Sequence, residues 1–334
     1  MTAEADSFET LAAVAGNGSQ ESTFGELKLD EFALLFGTTP DRIPSDCRAL
    51  IDKYDFRYRK LNGAERDQAI LRVLKSIDSG DLAVAGNPRK AQWELGWTEN
   101  LQGFMNGGHD LSALVPKYIK QGEPLRIFGE YVVPIDRNFE LRYFDVFRRW
   151  LFRTYFERVE NIYEFGCGSG YNLAVLAQIY PDKNLYGLDW APTSKEIVDQ
   201  MAQAYGWKME GLIFDYFSPD RRVNIAANSA VLTIGSLEQV GRKFEPFLQY
   251  LLESSPQVCV HAEPVVEWFD ENNLMDYLAL RYHKTRGYLE GFSTRLRELE
   301  DQGTIEIVGA HRSHYGTLFA DGWSQLIWKP LPSA

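Results

Sequence analysis

The stretch "IYEFGCGSGYNLAVLA" (residues 162–177) decides the fold. An apolar run ends in an acid, Glu164. Three glycines follow in five positions, Gly166, Gly168 and Gly170, and a second apolar run begins at once. Strand, tight loop and helix in immediate succession are the opening of a βαβ unit, in which loop backbone comes close to a bound ligand. A dinucleotide fingerprint would place its third glycine at position 171, which is Tyr171. The glycine at 170 and the acid ahead of the loop favour a nucleoside without a diphosphate, because a carboxylate there discourages phosphate. It can instead accept hydrogen bonds from an ammonium or a water.

The rhythm continues outward. "NLYGLDW" reads as a strand and "SKEIVDQMAQAYG" as a helix. "GLIFDYF" and "SAVLTIGSL" are strands, "FEPFLQYLLESS" a helix and "QVCVHAE" a strand. Strands alternating with helices imply a parallel sheet covered on both faces. A long helical stretch is expected over 264–301. "TIEIVGAHR" and "WSQLIWKP" then close the chain as strands with no helix between them, which predicts an antiparallel pair at one edge. Three acids end three successive strands: Glu164, Asp189 and Asp215. Asp189 suits two ribose hydroxyls, and Asp215 an adenine amino group beside the walls of Tyr216 and Phe217.

In order and spacing, "YEFGCGSGYN", "LYGLDWAPTS", "GLIFDYF" and "VLTIGSLEQVG" resemble the successive motifs of class I S-adenosylmethionine-dependent methyltransferases. The resemblance covers about residues 130–330. It implies an α/β, Rossmann-like seven-stranded sheet with a reversed last strand, and S-adenosylmethionine as cofactor. It implies that Glu164, Gly166, Gly168 and Gly170 line the methionine and ribose portions, that Asp189 binds the ribose, and that Asp215 and Tyr216 flank the adenine. Cys167, Asn172, Trp190, Gly235 and Tyr143 are further candidates for the cofactor site.

A methyl transfer is a displacement at a sulfonium with a neutral leaving group, so positioning carries much of the work. A base is needed only where the acceptor must lose a proton. His261 and Glu263, two apart on a strand, share a face and form a candidate base with its orienting carboxylate. Glu238 and Gln239 follow the fourth strand, where side chains face the methyl group in this fold. Glu238 is the further catalytic candidate and Gln239 a substrate residue. "RYHKTR" (residues 281–286) is a basic knot within the 264–301 insertion, and a lid over an anionic acceptor is one reading of it. Tyr282, His283, Arg286 and, from "HRSHYG", His314 complete the candidate substrate set. No ligand spacing calls for a metal.

Ahead of this unit, residues 1–24 read as a flexible tail and 25–125 as a mainly helical cap; 126–334 form the methyltransferase domain. "AERDQAILRVLKSIDSG" places Ile70, Val73, Leu74 and Ile77 on one helical face. "RKAQWELGWTENLQGF" spaces Trp93, Trp97, Leu101 and Phe104 likewise, a stripe expected to be core. "LRIFGEYVVPI" reads as a strand or extended link and "NFELRYFDVFRRWLFRTYF" as an amphipathic helix.

The 334 residues carry a formal charge of −12, which argues against nucleic acid or an anionic membrane as partner. Three cysteines without a CxxC pattern suit a reducing compartment. No apolar run approaches the ~20 residues that span a bilayer. A cytoplasmic enzyme methylating a small molecule in a biosynthetic pathway is the expectation, with a homodimer left open. The rivals are a non-catalytic binding protein of the same fold and an NAD(P)-dependent oxidoreductase.

Overall fold

The computed structural model describes residues 24–332, so the tail expected over 1–24 lies, but for Phe24, outside the described residues. The chain opens with β1 (Phe24–Glu26), α1 (Leu29–Phe36), α2 (Ser45–Lys53), β2 (Arg57–Lys60), α3 (Gly63–Asp78) and α4 (Lys90–Asn106). A hairpin follows, β3 (Leu125–Ile127) and β4 (Glu130–Pro134), and then α5 (Phe139–Tyr155). The link read as one extended segment is therefore two strands. Phe128 and Gly129 turn between them with φ of 51° and 77°, the left-handed pair that a two-residue hairpin turn requires.

The alternating unit comprises β5 (Asn161–Phe165), α6 (Tyr171–Ile179), β6 (Asn184–Asp189), α7 (Pro192–Tyr205), β7 (Met209–Ile213), β8 (Ser229–Ile234), α8 (Glu245–Ser254) and β9 (Val258–Glu263). It closes with α9 (Leu274–Arg286), α10 (Phe292–Asp301), β10 (Ile305–His311), β11 (Tyr315–Thr317) and β12 (Ser324–Pro330). The seven-stranded sheet has the order β10-β12-β9-β8-β5-β6-β7. All neighbours are parallel except β12, which runs antiparallel to both β9 and β10. Every residue of β5 and of β8 is buried, whereas the edge strand β10 alternates buried or half-buried with exposed positions. Central parallel strands covered on both faces carry unbroken apolar runs for this reason.

From β5 the chain moves outward to β6 and β7, then returns to β8 on the other side of β5. That reversal is the topological switch point, and it opens a crevice beyond the carboxyl ends of the strands.

Two departures from the expected fold matter for the site. The region ahead of α5 is not helical alone: a five-stranded antiparallel sheet of order β1-β2-β4-β3-β11 accompanies its helices. Its last strand comes from beyond residue 300. The 264–301 stretch is not one helix. Asn273 caps α9 by accepting from the amides of Met275 at 2.9 Å and Asp276 at 3.2 Å. Gly287, at φ 63°, ends that helix, and the link to α10 bonds to the main sheet's fourth loop through Leu289 N–H to the Glu238 carbonyl at 3.0 Å. Among the described residues no helix is long and apolar enough to cross a membrane.

Candidate cofactor cleft

The loop after β5 is tied to the end of β6. The amides of Gly166 and Cys167 both donate to the Leu188 carbonyl, at 2.7 and 3.1 Å. Gly168 N–H donates to Asp189 Oδ2 at 2.9 Å, and Ala191 N–H to Asp189 Oδ1 at 2.9 Å. Gly166 and Gly168 hold φ of 69° and 55°. A side chain on Gly166 would meet Ser236 at 2.4 Å, and one on Gly168 would meet Trp97 at 2.7 Å. Both positions need left-handed backbone and close approach at once, which only glycine supplies without strain.

Around this loop lies a cleft of about 860 Å³ of atom-free space. Of the candidate cofactor residues, Glu164, Gly166, Cys167, Gly168, Asn172, Asp189, Trp190, Asp215, Tyr216 and Gly235 line it, and so does Gln239. Glu164 is buried. Its Oε1 accepts from Asn172 Nδ2 at 2.8 Å, and its Oε2 has no partner. Burial pushes this carboxyl up to about 8, against the Asn172 bond and the Arg148 charge, which favour ionisation. Asp189 is pushed up to about 6 by burial, with the Ala191 and Gly168 amides pulling the other way. Two buried carboxyls beside a ring of backbone amides suit a ligand that brings hydroxyls and positive charge, not phosphate.

The third acid is engaged differently. Asp215 Oδ1 accepts from Phe217 N–H at 2.9 Å, while Oδ2 pairs with Lys90 Nζ at 2.8 Å. The lysine ammonium also lies 5.1 Å above the Trp190 ring. Lys90 opens α4, whose Trp93 and Trp97 stack at 5.4 Å and line the same cleft, with Tyr118 at its mouth. Trp97 is thus core and cleft wall together. Nothing in its helical spacing separates those roles; the signal available was "RK" beside the aromatic stripe in an acidic chain.

Several expected residues lie elsewhere. Gly170 begins α6, and a side chain there would meet Met201 at 2.5 Å, so it serves the turn and helix packing and does not line the cleft. Tyr143 is wholly buried in α5, stacked on Tyr315 at 3.5 Å, because its helix face turns to the core shared with the second sheet. His314 is exposed on the β10–β11 link, where its carbonyl accepts from Phe128 N–H at 2.8 Å.

The expected base is also displaced from the chemistry. His261 is fully buried inside the sheet layer. Its Nδ1 meets Thr233 Oγ1 at 2.9 Å, and its Nε2 accepts from Trp328 Nε1 at 3.0 Å. Burial lowers it to about 3. With both nitrogens engaged, away from the cleft, it cannot take a proton from an acceptor. Glu263 does not orient it: its carboxylate accepts the amides of Ser236, Leu237 and Glu238 at 3.0–3.2 Å, so it positions the loop after β8. Glu238 itself is half-buried behind the cleft, pushed up to about 8 by burial and by the neighbouring Glu263. Tyr282, His283 and Arg286 follow on α9, outside the cofactor cleft, with Tyr282 and Arg286 near Glu238.

The strand order and the switch point define a Rossmann-like α/β fold whose seven-stranded sheet has one reversed strand. Solved structures similar to this chain include the magnesium protoporphyrin IX methyltransferase of Synechocystis with bound S-adenosylmethionine, at 15% identity and TM-score 0.40, over 56% of this chain and 77% of that one. Another is an O-methyltransferase family 2 protein from Planctomyces limnophilus in complex with apigenin, at 12% identity and TM-score 0.37, over 53% and 52%. A third is the 16S rRNA methyltransferase RmtF in complex with S-adenosylhomocysteine, at 13% identity and TM-score 0.40, over 91% and 96%. No protein-family model and no curated protein matches the chain.

Proposed function

We propose that the chain binds S-adenosylmethionine in the cleft and transfers its methyl group to a small-molecule acceptor. The observation that carries this reading is the buried Glu164 carboxyl, whose Oε2 has no partner and which stands beside the glycine loop at the switch point. An ammonium placed there supplies the missing partner and the positive charge that a desolvated carboxylate needs. Asp189, held by two amides, keeps lone pairs for ribose hydroxyls. Trp190 and Tyr216 offer ring faces to a base.

When bound, the cofactor supplies an electrophilic methyl on a positively charged sulfur. The chain's own part is to hold the acceptor in line and to exclude water. Trp93, Trp97 and Tyr118 of the cap close over the loop for that purpose. With His261 sealed in the sheet layer, the reading assigns no side-chain base and rests catalysis on positioning.

Calorimetry with S-adenosylmethionine, S-adenosylhomocysteine and NAD on the full chain tests it. Binding of the first two and not of NAD is expected. Asp189→Ala should weaken that binding by about 1.5–3 kcal/mol, the range for hydrogen bonds to a charged group. Binding of NAD alone would overturn the proposal.

A further inference from the structure

We propose that Arg89 and Arg286 form an anion-binding subsite for the methyl acceptor, and that the acceptor carries a carboxylate. The inference rests on the methyl-transfer reading above and names the acceptor class for the same site.

Three arginines are more than nine-tenths buried, and they differ in how they are satisfied. Arg126 donates to the carbonyls of Leu318 and Met275 and to the Tyr131 hydroxyl. Arg148 has an unpartnered Nε, yet it pairs with Asp145 at 3.2 Å and donates to the Tyr171 carbonyl. Arg286 is 8% exposed, yet its side chain has one bond, from Nη2 to the Tyr288 hydroxyl at 3.0 Å, and its Nε has no partner. Among the described residues no carboxylate stands within ion-pair distance of Arg286 or of Arg89. A buried guanidinium without a counter-ion is costly, and a ligand anion is the natural remedy.

Arg89 faces the same place from the cap. Its guanidinium lies 4.4 Å above the Trp93 ring, and Nη1 donates to Gln239 Oε1 at 3.3 Å. Gln239 in turn gives its amide to Glu238 Oε1 at 2.8 Å and lines the cofactor cleft, so the arginines adjoin the reacting region through one side chain. Glu238 is near enough to feel both guanidinium charges without pairing with either. Two guanidiniums facing one carboxyl leave this cluster short of negative charge. A carboxylate matches the two-pronged donor face of a guanidinium.

Backbone joins these parts. Ala85 N–H donates to the Arg286 carbonyl at 2.7 Å, and Leu289 N–H to the Glu238 carbonyl at 3.0 Å. Cap, lid and main sheet therefore meet at this cluster.

The test is calorimetry of benzoate, benzamide and inorganic phosphate with the full chain loaded with S-adenosylhomocysteine. Benzoate should bind, benzamide should not, and phosphate should bind more weakly than benzoate. Arg89→Gln and Arg286→Gln should each weaken benzoate on the order of tenfold or more, as expected for a lost charge-assisted bond, with S-adenosylhomocysteine affinity unchanged. Arg89 is half-exposed, so its variant serves even where Arg286→Gln folds poorly. Absence of benzoate binding, equal binding of benzamide, tighter binding of phosphate, or an Arg89→Gln protein that holds benzoate like the wild type would overturn the subsite. A wild-type protein that fails to take S-adenosylhomocysteine counts against the cleft reading instead.

Discussion

Glu164 shows how one residue couples binding to pH. In the free protein burial holds its carboxyl at about 8, so it carries a proton at neutral pH. A cation beside it favours the ionised form. Binding should therefore expel a proton, and affinity should climb as pH rises towards about 8. Calorimetry in buffers of different ionisation enthalpy measures the proton directly. Glu164→Gln should abolish the release; release that persists in the variant would assign it to another group. His261 behaves in the opposite sense and away from the chemistry. Its folded value of about 3 lies below the ordinary 6.5. Between those values the unfolded chain takes up a proton that the folded chain refuses, so this histidine's contribution to stability is lost as pH falls through that window. Urea unfolding across the window should show a shallower acid loss in His261→Gln than in the wild type. The variant should also be less stable at neutral pH by about 1–3 kcal/mol, since the Trp328 and Thr233 partners stay buried. A large fall in turnover per folded molecule, with stability intact, would restore His261 as a base.

Among the elements, α4 forms one wall of the cleft. It is held against α7 by a Thr193–Glu94 hydrogen bond, against the glycine loop by the Trp97 ring packed on Gly168, and against the end of β7 by the Lys90–Asp215 pair. These contacts differ in weight. Both partners of the ion pair are about a third exposed, so solvent screening limits the pair to less than about 1 kcal/mol. Trp97 is buried, and its truncation leaves a cavity worth about 3–5 kcal/mol. Denaturant unfolding should separate Lys90→Ala, nearly silent, from Trp97→Ala, strongly destabilised. Equal losses in the two variants would mean that the pair, not the ring, holds the helix down.

Across the whole molecule, the two sheets share one stretch of chain. β11 leaves the C-terminal strands to complete the sheet of the cap. Beside it, Arg312 bonds to Asp276 at 2.5 Å and to Asp321 at 2.8 Å, with all three side chains largely buried. Replacing the arginine strands two buried acids, so Arg312→Met should cost about 3–5 kcal/mol. Because β11 joins the sheet of the cap to the C-terminal strands, tryptophan fluorescence and far-ultraviolet dichroism should report one coincident unfolding transition. Two separated transitions in the wild type would show that cap and sheet unfold independently.

What the sequence determined by itself is local. Unbroken apolar strands, the glycine loop, and Glu164 and Asp189 at strand ends are legible because strand burial and left-handed turns restrict residue type at each position. The strands of the cap sheet were not legible. They are three to five residues long, too short to show a period of two, and outside the β3–β4 hairpin their partners lie far along the chain. The role of the fifth strand was also beyond local reading: alternation places His261 and Glu263 on one face, but only the insertion of β12 between β9 and β10 seals His261 under Trp328. The same holds for Lys90, Trp93 and Arg89, whose meeting with Asp215, the cleft and Gln239 spans 125 residues for the lysine pair and 150 for the arginine contact. Contacts at that separation depend on how helices and sheets pack, and neighbours in sequence carry no record of it.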